Sequence, residues 1–271
     1  MSWWGKLVGG ALGFTLVGPI GALLGAALGH SLDKGIKNLE NSPLEGHLNS
    51  QEDIQAAFFT ATFSIMGQVA KADGRVTESE LDIARDIMQK MQLNDEQKKL
   101  AINLFNEGKQ AGFDPEPIIL QFKKVSGRRL NLLTMFMEIQ LSTALADSEL
   151  HQDEQRILLN TAELLGFKRR EFEQLLARST AEKFYSRYHK YNTKQVNTND
   201  LLSASYKLLG VNENCSDSEL KKAYRRLMSQ HHPDKLVSKG LPEEMMKLAT
   251  EKTQEIKDAY ERIKQFRTKQ V

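Results

Sequence analysis

Near the end of this chain, Lys221, Lys222, Arg225 and Arg226 lead into His231-His232-Pro233-Asp234-Lys235. Two imidazoles, a rigid ring, a carboxylate and an ammonium thus fall within five consecutive residues. Two chemistries fit such a cluster. His231, His232 and Asp234 could ligate a metal in a hydrolase, or the cluster could be a recognition turn fed by a basic helix. The metal reading is the weaker one. Adjacent ligands converge poorly on one ion, and no second His/Glu cluster stands at a supporting spacing. The recognition reading accounts for the cations. Lys221/Arg225 and Lys222/Arg226 are i,i+4 neighbours whose like charges weaken a helix slightly, a cost that points to use on a partner.

The flanking sequence supplies the elements that hold this turn. Ser216 and Glu219 have the capping-box spacing and predict a helix start. Leu220, Ala223, Tyr224 and Leu227 follow at i, i+3, i+4 and i+7, which makes one apolar stripe and leaves the cations on other faces. Pro233 has no N–H to continue the helix and biases His232 away from the α region. Upstream, Tyr206-Lys207-Leu208-Leu209 reads as a short helix closed by Gly210. Downstream, a helix is predicted from Pro242 to about Phe266, with Ala249, Ile256, Ala259, Tyr260 and Ile263 on its apolar face. Two antiparallel helices would bury these stripes together and carry His-Pro-Asp at an exposed tip.

From about Asp200 to Phe266 the chain resembles a DnaJ-type J domain. The matching residues are Tyr206, Leu209-Gly210-Val211, Lys222-Ala223-Tyr224-Arg225, His232-Pro233-Asp234 and Glu255-Ile256-Lys257-Asp258-Ala259-Tyr260. The resemblance implies a co-chaperone, not itself an enzyme and without a cofactor. It implies contact with a DnaK-type chaperone ATPase through Lys221, Lys222, Arg225, Arg226, His232, Pro233, Asp234 and Lys235. In that family the contact accelerates ATP hydrolysis by the chaperone, which locks its substrate in.

Composition narrows the rest. Hydrophobic residues make up 40% and charged residues 27%, ordinary for a globular chain, and the net charge of +2 gives no reason to expect nucleic acid as a partner. The basic excess is local: from Asp200 onward 14 Lys and Arg stand against 11 Asp and Glu. An acidic protein surface is the expected target of such a patch. The lone Cys215 excludes an internal disulfide and the paired CxxC zinc modules of many J-domain proteins, and no Gly/Phe-rich stretch accompanies the J-like region.

Between Lys6 and Asp33 there is no Asp, Glu, Lys or Arg, and Leu7 to Gly29 is long enough to cross a bilayer. Trp3 and Trp4 suit an interfacial anchor. A cleaved signal peptide would want a stronger positive start and a shorter apolar core. A buried soluble hairpin broken at Gly18-Pro19 is the other alternative. Gly5, Gly9 and Gly13, and again Gly21, Gly25 and Gly29, repeat every four residues. Each set would fall on one side of a helix and let a second backbone approach, which predicts a homodimer. Gly35 to Ser50 reads as a polar tether.

The middle region, Gln51 to about Arg178, is read as amphipathic helices throughout. Ala56, Phe59, Phe63, Met66 and Ala70 form one stripe, and Ile83, Ile87 and Met91 another. Leu100, Leu104 and Phe105 form a third, and Leu133, Phe136, Met137, Leu141 and Leu145 a fourth. All are assigned to core packing. A weak repeat relates Ala70-Lys71-Ala72-Asp73-Gly74 to Ala144-Leu145-Ala146-Asp147-Ser148. Each copy is a helix, an acidic turn and a second helix. The region resembles the all-helical TerB-type domain, a family linked to metal-ion or stress responses. Asp73, Glu80, Asp147 and Glu154 are therefore candidate ligands for a divalent cation. The simpler reading makes them helix caps and dipole partners, because the oxygens are too few and too irregular for an EF-hand loop.

The expected organisation is all-α. A tail and single transmembrane helix (1–32) and a linker (33–50) precede a TerB-like bundle (51–178). A polar linker (179–199) then leads to a J-domain helical hairpin (200–271). This order resembles the membrane-anchored branch of the bacterial DnaJ-like proteins. That likeness implies a homodimer in the inner membrane, its N-terminus periplasmic and its other domains cytoplasmic. It also implies recruitment of DnaK, an unidentified client or signalling protein, and a tie to envelope or capsule stress signalling. A membrane stress sensor whose J domain only docks is the competing function.

Overall fold

The computed structural model describes residues 51–72, 78–145, 150–191 and 198–269, and every regular element among them is helical. The expected membrane anchor with its two glycine sets, the tether after it and the Asp73 and Asp147 turns lie outside the described residues. Among the described residues, no helix is long and apolar enough to cross a membrane.

The first helix, α1 (Gln51–Ala70), is the axis of the bundle. Its residues from Ile54 to Ala70 are almost all buried, so its apolar positions run round the helix rather than along one stripe. Around it pack α3 (Asp95–Gly108), α4 (Glu116–Ser126), α5 (Leu130–Ala144) and α6 (Gln152–Leu165), while α2 (Glu78–Lys90) packs on α5. The closest crossing is with α3. A Cβ on Gly67 would fall 2.0 Å from the Phe105 carbonyl oxygen, and one on Gly108 would fall 1.9 Å from that of Ser64. Only glycine permits this approach. Phe58, Phe122 and Phe136, from α1, α4 and α5, meet at centroid distances of 5.1–6.2 Å and fill the centre. The four predicted stripes are buried as expected, except that Leu100 is half-buried and the side chain of Ile83 is not described.

A long helix, α7 (Arg169–Tyr191), leaves this bundle and enters the C-terminal unit. The polar linker expected from Ser179 onward is therefore helical as far as Tyr191. Its low hydrophobicity suggested a loop, yet Ala181 and Tyr185 are buried in the second core. That core is completed by α8 (Thr198–Leu209), α9 (Asp217–His231) and α11 (Met246–Thr268). Tyr206, Leu209, Leu220, Leu227, Ile256 and Ile263 line it.

Two details differ from the simple hairpin. The connection after α9 contains a short helix, α10 (Pro233–Val237), and α11 begins at Met246 rather than Pro242. Pro242 instead precedes a single 3₁₀ turn, Glu243–Met245. The reason is packing. Leu236, Leu241, Met245 and Ala249 all join the core of the bundle, not that of the hairpin, so the connection folds back against α1. Gly240 has φ +101°, and a Cβ there would fall 2.5 Å from Ile54 Cγ2.

Candidate functional site: the basic helix and its His-Pro-Asp turn

The start of α9 is capped as its spacing predicts. Ser216 Oγ accepts from the Glu219 N–H at 3.2 Å, and Glu219 Oε2 accepts from the Ser216 N–H at 2.8 Å. Those bonds to the Ser216 backbone and side chain hold the Glu219 carboxyl below its ordinary value. Leu220, Ala223 and Leu227 are buried, and Tyr224 is half-buried against Tyr260. This fixes the rotation of α9, so Lys221, Lys222, Arg225 and Arg226 are all exposed. Lys222 and Arg225 face away from the rest of the protein, whereas Arg226 lines a polar cleft with Arg178, Lys207 and Glu219.

At the other end, His232 is both the last cap of α9 and the first cap of α10, with φ −59° and ψ 124°. This extended conformation is the one Pro233 imposes on the residue before it. His232 and Asp234 are exposed and Pro233 is half-buried between them. Lys235 is exposed too, and its ammonium donates to Ser229 Oγ at 2.7 Å, bridging the turn. All eight residues read from the sequence as the chaperone-facing set thus lie on α9 and the first turn of α10. They present cations along one helix, then an imidazole and a carboxylate on either side of a rigid ring. Such a surface can hold an acidic partner and accept a hydrogen bond from one of its basic groups.

His231 behaves differently from its neighbour. Its ring is 2% exposed, and Nε2 lies 2.9 and 3.0 Å from the two carboxylate oxygens of Glu138 on α5. Arg178 on α7 reaches the same carboxylate at 3.4 Å and Lys252 on α11 reaches it at 3.2 Å. Lys252 also pairs with Glu182 on α7 at 2.5 Å. Burial alone would raise the Glu138 carboxyl, but the charges of Lys252 and Arg178, with the His231 ring beside them, outweigh it and bring the carboxyl below its ordinary value. Burial likewise raises Glu182, with Lys252 opposing. Burial works against the Lys252 ammonium, yet Glu138 and Glu182 hold it above its ordinary value.

The imidazole of His231 has oxygen neighbours on both sides, since Nδ1 lies 3.2 Å from the Leu227 carbonyl. That geometry suits a cation. Burial, aided by Lys252 and Arg178 and opposed by Glu138, nevertheless pushes the ring down to about 4. We assign the neutral ring at pH 7, its proton on Nε2. Arg178 and Lys252 already balance Glu138 and Glu182, and a fifth buried charge would be uncompensated. A ring so placed, beside two cations, is poorly suited to ligate a metal. Among the described residues no group of three or more His, Cys, Asp or Glu side chains could hold a metal ion. Of the acidic candidates, Glu154 is buried and accepts from the His151 N–H at 2.9 Å, the capping role. Glu80 lies on α2, its side chain not described, and Asp73 and Asp147 are outside the described residues.

Glu138, Arg178, Glu182 and Lys252 were not read from the sequence as site residues. One signal was available. Glu138 interrupts Leu132 to Leu141, a stretch of α5 that is otherwise largely apolar and wholly buried. A carboxylate in such a position needs a charged partner, although nothing in the sequence names which.

Comparison with known proteins covers the whole chain. Residues 59–177 match the family described as tellurite resistance protein TerB. Residues 1–39 match the co-chaperone DjlA transmembrane domain, and residues 204–270 match the DnaJ domain. The chain is 45% identical to the co-chaperone protein DjlA of Coxiella burnetii, over 99% of each chain. It is 43% identical to the protein of that name from Shewanella oneidensis, over 98% of this chain and 99% of the other. With the one from Photobacterium profundum it shares 41% identity, over 96% and 98%. No solved structure matches.

Proposed function

The chain belongs to the DjlA family of membrane co-chaperones, and from that we propose that it recruits a DnaK-type ATPase to the membrane and stimulates its ATP hydrolysis. The observation that carries this reading is the joint exposure of His232 and Asp234 at the end of a helix whose four cations are also exposed. In this reading Lys221, Lys222, Arg225 and Arg226 draw in an acidic face of the ATPase. The Asp234 carboxylate accepts from one of its basic groups, and Pro233 fixes the spacing between Asp234 and His232. Lys235 holds the turn through Ser229. No bond is made or broken on this chain. The hydrolysed bond is in ATP held by the partner.

The rest of the architecture supports a membrane-bound adaptor. The anchor would span the inner membrane once with the N-terminus periplasmic, because DnaK and ATP are cytoplasmic. The two glycine sets would pair two copies. The TerB-like bundle would meet a client or signalling protein, with envelope or capsule stress as the setting.

The reading is tested with full-length protein in lipid nanodiscs and DnaK in its ATP state. Wild type should retain DnaK on the discs, and Asp234→Asn should lose most of that retention while keeping its helical signal. Equal retention by the two would reject the assignment. Topology is tested by protease on spheroplasts, where a tag after Val271 should survive until the membrane is opened.

A further inference from the structure

We propose that Glu138, a residue of the TerB-like bundle, is a positioning residue for the His-Pro-Asp turn and acts through His231. The proposal deepens the co-chaperone reading and rests on it for the turn's role. It stands on how the turn is held. The residue immediately before His232 is His231, and its buried ring donates to the Glu138 carboxylate across 93 residues of sequence. Three residues after Pro233, Leu236 is fully buried in the core of the bundle. The Val237 carbonyl next to it accepts from Gln51 Nε2 at 3.2 Å. Gly240 then packs directly on Ile54. The turn is therefore clamped on both sides by the bundle, and between the clamps His232, Asp234 and Lys235 are exposed.

The clamp at Glu138 has a distinct character. Four helices, α5, α7, α9 and α11, meet there through one carboxylate, with Arg178, Lys252 and His231 as its partners. Buried ionic clusters contribute little net stability compared with well-packed apolar side chains. They do demand one arrangement, because any other leaves a charge buried without its partner. Leu236 could slide within an apolar core; the His231–Glu138 contact cannot. The same carboxylate thus sets where α9 ends and in which direction His232 and Asp234 leave it. Groups that must meet a partner in one geometry lose function steeply when displaced by about an ångström.

The test uses full-length protein in nanodiscs. His231→Leu removes the donor without adding a charge, so Glu138 keeps Lys252 and Arg178 and the cluster stays balanced. His231→Gln keeps an amide donor at similar reach. Two quantities are read: hydrogen exchange of backbone amides 227–241, and stimulated DnaK turnover as maximal rate and half-saturating concentration separately. His231→Leu should speed exchange in that segment while α1 and α3 keep their protection. It should lower the maximal rate between about tenfold and a hundredfold. Half-saturation should change little, since the cations of α9 remain exposed. His231→Gln should recover part of both effects, and Glu138→Gln should reproduce the loss. Unchanged exchange in His231→Leu would overturn the proposal, and so would faster exchange with an unaltered maximal rate. If wild type itself fails to stimulate DnaK, the co-chaperone reading fails, and the exchange result alone still decides whether Glu138 fixes the turn.

Discussion

Tyr224 on α9 and Tyr260 on α11 stack face to face, with ring centroids 4.2 Å apart and planes 16° from parallel. The pair ties the basic helix to the helix behind it, two helical turns before His231. Replacing Tyr224 by Ala should destabilise the C-terminal unit by about 1–3 kcal/mol, the stacking plus the apolar area of a half-buried ring. Chemical denaturation followed by circular dichroism would measure it. A loss below a few tenths of a kcal/mol would mean that the hairpin holds without the stack.

The second expectation concerns the cations. Arg225→Glu should weaken DnaK binding more than Arg226→Glu, because Arg226 faces the cleft shared with Arg178 while Arg225 faces open solvent. Wild-type affinity should fall as salt rises, since exposed charges are screened over about 8 Å at physiological ionic strength. An affinity indifferent to salt would show that the basic helix is only a solvated face.

A third follows from the neutral His231 ring. Its pKa is pushed down to about 4 where it is buried, against an ordinary value of 6.5. Protonation therefore favours the state in which the ring is released. The clamp is at full strength above the ordinary value and is lost progressively as pH falls toward 4. The groups acting on the ring are Glu138, Lys252 and Arg178; Glu182 joins them through Lys252, and its raised carboxyl works in the opposite sense. The comparison with His231→Leu removes those shared contributions. Between pH 7 and about pH 5, wild type should lose roughly 2 kcal/mol relative to the variant. Parallel pH profiles for the two would contradict a neutral buried ring.

A fourth addresses the anchor. Gly25→Leu should reduce self-association, because a large side chain holds two backbones apart. A membrane two-hybrid signal that survives Gly9→Leu, Gly25→Leu and the double substitution would leave the glycines without a packing role.

Much of this molecule is legible in local sequence. The capping box at Ser216, the apolar stripe through Leu227, the break at Pro233 and the buried stripes of the bundle all follow from spacing within a few turns of helix. What escaped depends on distance. Tyr185 lies in a polar stretch and is buried only because α8 and α11 cover it. The α10 turn and the late start of α11 arise because Leu236, Leu241 and Met245 fit the core of the bundle rather than that of their own hairpin. The Glu138 cluster assembles residues separated by up to 114 positions, from Glu138 to Lys252. Glu138 alone stands out, as a carboxylate in an apolar stretch; Arg178, Glu182 and Lys252 look like ordinary surface charges until the helices that bear them are packed.

The most direct measurement is single-turnover ATP hydrolysis by DnaK in the presence of full-length protein in nanodiscs, wild type against His232→Gln. The side chain of His232 is exposed, so the substitution removes an imidazole from the surface without opening a cavity. Wild type should accelerate hydrolysis and His232→Gln should abolish the acceleration while unfolding at the same denaturant concentration. Equal acceleration by the two proteins, or none by wild type, would contradict a co-chaperone that works through its His-Pro-Asp turn.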